Sequence, residues 1–223
     1  MSVTNRPIRI LFVCHGNICR SPMAEFIFKD MVRQVGLADQ FEIASAATSR
    51  EEIWHGKGNP VYPPAKAELA AHGLSCDGKR ARQLTVADYD YYDLLLAMDG
   101  SNVRNLHRML GGDPQHKIKK LLDYAHGGDV ADPWYSRDFA RAYQDIATGC
   151  RALLTALTTK QKSAPAQRQC DFVPGYFYRL ICQTTDWSYS SFCCSACRWL
   201  PAAPRRSADN GRSPAPAGSG WAR

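Results

Sequence analysis

The stretch Val13-Cys14-His15-Gly16-Asn17-Ile18-Cys19-Arg20-Ser21-Pro22 constrains the chain more than any other. An apolar run over residues 8–13, broken only by Arg9, leads into it. The run is short, rich in branched residues and closed by a Gly-containing loop, which predicts a buried β-strand. Ser21 and Pro22 follow, and residues 23–35 carry apolar side chains at helical spacing. Ser at an N-cap with Pro at the first helical position is a helix start, so a helix is expected over 22–35. A Cys opens the loop and an Arg closes it.

A strand, a tight loop and a helix N-terminus suit a phosphate-like dianion. Loop N–H groups form an anion-binding nest, and the helix adds unpaired N–H groups and the positive end of its dipole. Gly16 is expected to let the backbone turn and approach the ligand. Arg20 offers a planar fork to two oxygens, which Lys lacks. Cysteines in such settings drop from a pKa of about 8.5 to roughly 3.5–7.5. Cys14 is thus a candidate nucleophile, with Ser21 donating to its thiolate and Asn17 holding the loop. The bland alternative is a small buried hydrophobe at a strand end. No G-x-x-x-x-G-K-[ST] is present.

Downstream, strand and helix signals alternate. Strands are expected over 41–46, 93–98 and 118–122, and helices over 63–72, 85–91, 101–110 and from 136 or 137 to about 158, with a long loop over 47–62. This predicts an α/β fold of three layers: a central four-stranded parallel sheet with helices on both faces and the phosphate loop after its first strand. Ligands in such sheets bind beyond the carboxyl ends of strands, where Cys14 falls.

Phe12-Val13-Cys14-His15-Gly16-Asn17-Ile18-Cys19-Arg20-Ser21-Pro22 resembles the signature of the low-molecular-weight protein tyrosine phosphatases. The resemblance continues in order through Ser45-Ala46-Ala47-Thr48-Ser49, Gly58-Asn59-Pro60-Val61-Tyr62-Pro63-Pro64-Ala65, Ala97-Met98-Asp99 and Asp132-Pro133-Trp134-Tyr135, covering about residues 7–158. It implies hydrolysis of phosphotyrosine and small aryl phosphate monoesters through a phosphocysteine. Cys14, Arg20 and Asp132 are then catalytic. His15, Gly16, Asn17, Ile18, Cys19, Ser21, Trp134 and Tyr135 bind substrate or phosphate. Asp99 supports the loop by orienting Arg20, its other reading being a helix N-cap. Without the resemblance, Asp132 reads as an Asp-Pro turn; with it, the flanking aromatics are expected to desolvate the carboxyl and raise its pKa. Trp54 is a weaker candidate for the aromatic wall, and His72 reads as structural. Cys19 is the candidate redox partner of Cys14. No cofactor or metal is expected. The alternatives are arsenate reductase on the same fold, disfavoured because Cys76 and Cys150 are poorly spaced for a relay, and a non-hydrolytic phosphocysteine carrier or phosphate-binding module.

Composition separates two segments. Residues 1–159 hold 19 Lys+Arg against 18 Asp+Glu, and residues 160–223 hold nine against three, so the net +7 belongs mostly to the tail. A near-neutral first segment gives nucleic-acid binding no support. No run of about 18 apolar residues exists and the start lacks a signal-peptide core, so a cytoplasmic protein without a membrane span is expected; a monomer is the expected state, on no feature of the sequence. Nine cysteines, an odd number, do not make a complete disulfide framework. The phosphatase-like domain is placed at 1–159. Residues 160–223, rich in Cys, Arg and Pro, are expected to be largely disordered, with Cys193, Cys194 and Cys197 a weak zinc candidate.

Overall fold

Strand β1 (Ile8–Cys14) lies between two neighbours and is covered on both faces, so it carries apolar side chains on both. Ile10, Phe12 and Cys14 point into one core, and Leu11 and Val13 into the other, as the two-residue period of a strand requires. The computed structural model describes residues 6–163. The expectations for the tail, including Cys193, Cys194 and Cys197, lie outside the described residues.

Strands β2 (Phe41–Ala47), β5 (Leu94–Ala97) and β6 (Ile118–Lys120) complete a four-stranded sheet of order β2-β1-β5-β6, parallel throughout. Ile43 and Phe12 share the larger core with Met23, Ala24, Ile27 and Phe28 of α1 (Arg20–Gln34) and Ile146, Cys150 and Leu153 of α6 (Phe139–Ser163). The second core joins Val13, Leu95 and Ala97 to Tyr89 of α3 (Val86–Tyr91) and Leu106 of α4 (Gly100–Leu110). Helix α2 (Pro63–Ala71) adds Ala65 and Leu69 to the first core. The expected three-layer α/β architecture is therefore present.

Several boundaries differ for local reasons. Helix α1 begins at Arg20, so Cys19, not Ser21, occupies the N-cap position, and no side chain caps it. Pro22 falls inside the first turn, where its missing N–H has no helical partner to lose. The loop 47–62 is not featureless: β3 (Ile53–Trp54) and β4 (Lys57–Gly58) form an antiparallel ribbon turned by His55 and Gly56, both at positive φ (49° and 77°). That two-residue turn matches strand twist. Strand β6 stops at Lys120, and Leu121–Tyr124 forms a 3-10 turn. The closing helix is preceded by a short α5 (Pro133–Ser136); Arg137 at φ 60° separates them, and the carboxylate of Asp138 accepts from the N–H of Arg141 in the first turn of α6.

Because the strands are parallel, the segments after β1, β2 and β5 leave the sheet at one edge. Cys14 pairs with Ala47, and Val13 with Ala97. Those segments carry Cys14, residues 48–52 and Asp99.

Candidate active site

The phosphate loop is held by its carbonyls. Cys14, His15 and Ile18 accept from the backbone N–H groups of Thr48, Ser49 and Tyr62 at 2.9 Å each. The N–H groups of His15, Gly16, Ile18 and Cys19 have no hydrogen-bond partner among the described residues, so these donors remain for an anion. The left-handed turn falls on Asn17 (φ 57°), not on Gly16. Asn tolerates this conformation through local hydrogen bonds. Gly16 serves close approach instead: a Cβ there would stand 3.0 Å from Cγ of Glu52.

Asn17 anchors its strained backbone with three bonds. Its Nδ2 donates to Ser21 Oγ (2.9 Å) and Ser45 Oγ (2.8 Å), and its Oδ1 accepts from the N–H of Arg82 (3.1 Å). Most of its contacts are thus with side chains, and both it and Ser21 lie behind the cavity rather than on its wall. Ser45 donates to Glu25 of α1 (2.6 Å), a buried carboxylate paired with Lys79 (2.7 Å) and Lys29 (2.5 Å). Burial alone would raise the Glu25 pKa, yet the two lysines and the Ser45 hydroxyl bring it below the usual carboxylate range. Burial lowers the pKa of Lys79, outweighing the pull of Glu25. Sequence reasoning missed Glu25 and Lys79. The available signal was a charge one turn beyond Ser21 on the helix face that carries the core.

Cys14 is buried, with Sγ 3.0 Å from Ser21 Oγ and 3.3 Å from the N–H of Asn17. Against a thiolate both groups donate. Arg20 is also buried; its Nη1 donates to Asp99 Oδ2 and its Nη2 to Asp132 Oδ2, each at 2.6 Å. Burial opposes the guanidinium charge, but Cys14, Asp132 and Asp99 together raise its pKa. The other oxygen of Asp99 accepts from the N–H of Asn102 and caps α4, so one side chain contacts both Arg20 and the helix start. Asp132 likewise caps α5 through Trp134 N–H. Its pairing with Arg20 was not anticipated.

These groups share a cavity of about 480 Å³ lined by Cys14, His15, Gly16, Ile18, Cys19, Arg20, Asp99, Asp132, Trp134 and Tyr135, and also by Glu51, Glu52, Ser101, Asn102 and Asn105. The last five were not foreseen. Tyr135 is 85 % exposed and Trp134 is 46 % exposed, with the Trp134 ring against Tyr62. Trp54, on the ribbon, does not line the cavity. His72 stacks on Tyr143 of α6 with centroids 3.7 Å apart, a packing role. The four described cysteines, Cys14, Cys19, Cys76 and Cys150, are unpaired and buried. The Cys19 thiol is pushed up to about 12, first by burial and then by the charges of Cys14 and Asp132. No helix among the described residues is long and apolar enough to cross a membrane.

Comparison with known proteins agrees with this geometry. The low molecular weight protein-tyrosine-phosphatase YfkJ of Bacillus subtilis is 40% identical over 158 residues, covering 70% of this chain and 99% of the relative. Its crystal structure superimposes with a TM-score of 0.64 over 70% of this chain and 97% of that one. The human low molecular weight phosphotyrosine protein phosphatase is 37% identical over 161 residues, 65% of this chain and 92% of the relative. The low molecular weight protein tyrosine phosphatase SP-PTP of Streptococcus pyogenes is 36% identical, with a TM-score of 0.62 over 70% of this chain and 96% of that one. The profile described as low molecular weight phosphotyrosine protein phosphatase matches residues 9–163, and the chain belongs to that family.

Proposed function

We propose that the chain hydrolyses phosphotyrosine in proteins, and small aryl phosphates, through a phosphocysteine. The observation that carries this reading is that a cysteine and an arginine of one loop and a carboxylate 112 residues beyond that arginine line one cavity above unpaired loop amides. The Cys14 thiolate attacks phosphorus in line, forming an S–P bond as the P–O bond to the phenol breaks. Arg20 and the loop N–H groups hold the equatorial oxygens, where transition-state charge accumulates. Asp132 gives its proton to the leaving oxygen. It then takes one from the water that cleaves the S–P bond, releasing inorganic phosphate and the thiolate. Asp99 holds Arg20 square to the loop. Trp134 and Tyr135 offer faces for the tyrosyl ring, which a phosphoserine lacks.

Cys19 belongs to the same reading as a resolving thiol. After peroxide converts Cys14 to a sulfenic acid, the Cys19 sulfur displaces hydroxide to form a disulfide, and its proton leaves with the hydroxide as water. We place the catalytic domain at 1–159, as a cytoplasmic monomer; the balanced charge of that segment supports a polypeptide substrate over nucleic acid.

The test is p-nitrophenyl phosphate and phosphotyrosyl-peptide hydrolysis at mildly acidic pH, with and without chelator. Wild type should turn over both, and Cys14→Ser should bind aryl phosphate without turnover. Full activity in Cys14→Ser, or arsenate-dependent oxidation of reduced thioredoxin in place of hydrolysis, overturns the reading.

A further inference from the structure

The cavity is lined by four carboxylates, yet the ester it takes is a dianion. Asp99 and Asp132 are matched by the guanidinium of Arg20. Glu51 and Glu52 are not. Glu51, largely exposed, meets the imidazole of His15 at 2.9 Å and Ser49, and no Lys or Arg. Glu52 is built into the mouth. Its Cγ lies against Gly16, its Oε2 accepts from Asn59 Nδ2 at 2.7 Å, and its Oε1 has no hydrogen-bond partner among the described residues. Its charge reaches the bottom of the loop, where it adds to the forces raising the Cys19 pKa. Arg137, beside Trp134, is engaged with Tyr62 Oη at 3.0 Å. Two rim carboxylates thus stand over an anion site whose one buried guanidinium is already doubly paired.

We propose that Glu52, with Glu51, selects phosphotyrosine flanked in its polypeptide by a Lys or Arg side chain. This rests on the phosphatase reading and names the substrate class within it. A bare aryl phosphate approaches against the rim field. A substrate that brings its own cation cancels that field and gains a charge-assisted hydrogen bond to the free Oε1. The cation meets a carboxylate already fixed by Asn59 and Gly16, so little further ordering is lost on binding. Charge complementarity of this kind acts mainly through encounter and discrimination, and it weakens with salt.

The experiment compares kcat/KM for three phosphotyrosyl peptides that differ only in one flanking residue, Lys, Gln or Glu, on the full chain. Wild type should prefer Lys over Glu by about tenfold, falling toward parity in roughly 1 M salt, where the screening length is about 3 Å. In Glu51→Gln/Glu52→Gln the Lys-flanked peptide should slow while the Glu-flanked peptide and p-nitrophenyl phosphate speed up. A merely structural role for the pair would slow all three together. Equal rates for Lys- and Glu-flanked peptides in wild type, or a preference that survives the double substitution, overturns the inference. If wild type hydrolyses neither peptides nor p-nitrophenyl phosphate, it is the phosphatase reading that falls.

Discussion

Arg20 donates from Nη2 to Oδ2 of Asp132 across 112 residues of sequence, at 2.6 Å. The contact ties the cation that would grip phosphate to the carboxyl that would donate the proton. On the proposed reading, a phosphate oxygen on the same Nη2 would displace Asp132 and free it to face the leaving group. Asp132→Asn keeps one oxygen to accept from the Trp134 N–H, so the short helix α5 should persist, while its amide nitrogen cannot accept from Arg20. Proton donation should not. We expect kcat for phosphotyrosine to fall about 10²–10⁴-fold. The loss should be smaller for p-nitrophenyl phosphate, whose phenolate departs with less help. A steeper dependence of kcat on leaving-group pKa across an aryl phosphate series is the readout; parallel losses for all phenols would remove Asp132 from the role of acid.

Asp99 holds Arg20 and caps α4 with different oxygens, so two substitutions separate the roles. Asp99→Asn keeps a capping oxygen but loses the charge that fixes the guanidinium. Its melting temperature should stay near wild type while kcat/KM drops about tenfold or more. Asp99→Ala should lose the same activity and about 1 kcal/mol of stability besides. Calorimetry and steady-state kinetics on both variants make the comparison.

The elements legible in the sequence are those with local signals. Gly111 at φ 73° ends α4, and Thr85 begins α3, as their residue types announce. The ribbon at 53–58 leaves only a weak trace in the sequence, His55-Gly56 between Ile53-Trp54 and Lys57-Gly58, because its second strand carries no apolar side chain, and the loop expected over 47–62 passes over it. The start of α1 was misread because Ser21 is a good cap in isolation, whereas here its hydroxyl is turned to Cys14 and Asn17. The loop residues of the site were legible through their spacing. Glu25, Lys79, Glu51 and Glu52 were not, since their roles come from folding distant segments onto the loop.

The Glu25 carboxylate, held charged by Lys79, Lys29 and Ser45, gives stability a defined pH dependence. A carboxylate whose folded pKa is depressed stabilises the protein above its unfolded value, near 4.5, and that stability is lost as pH falls through the folded value. Unfolding midpoints in urea should therefore decline below about pH 4.5. Glu25→Gln should be less stable at pH 7, because it leaves Lys79 buried without a counter-charge. It should also show a shallower decline in acid. An identical acid slope in both proteins would assign the effect to other carboxylates.

Two glycines make opposite predictions from the same construction. A Cβ on Gly58 would stand 1.8 Å from the carbonyl oxygen of Ala81, and backbone there cannot step aside cheaply. Ala81 donates to Asn59 O, Arg82 accepts from Ala47 N–H, and Arg82 N–H donates to Asn17 Oδ1. Pushing residues 80–82 away therefore loosens Asn17 and the loop. Gly58→Ala should lose about 3 kcal/mol and most of its activity together. At Gly16 the φ is not left-handed, and the close atom, the Glu52 Cγ, has to give way by only a few tenths of an ångström while Oε2 stays on Asn59. Gly16→Ala should melt within about 2 °C of wild type. Competitive inhibition by inorganic phosphate should weaken, because the added methyl crowds the mouth between Glu52 and Ile18. Thermal denaturation beside phosphate inhibition constants separates the two. If Gly58→Ala proved as stable as Gly16→Ala, the packing of the ribbon against residues 80–82 would not be what holds the loop in place.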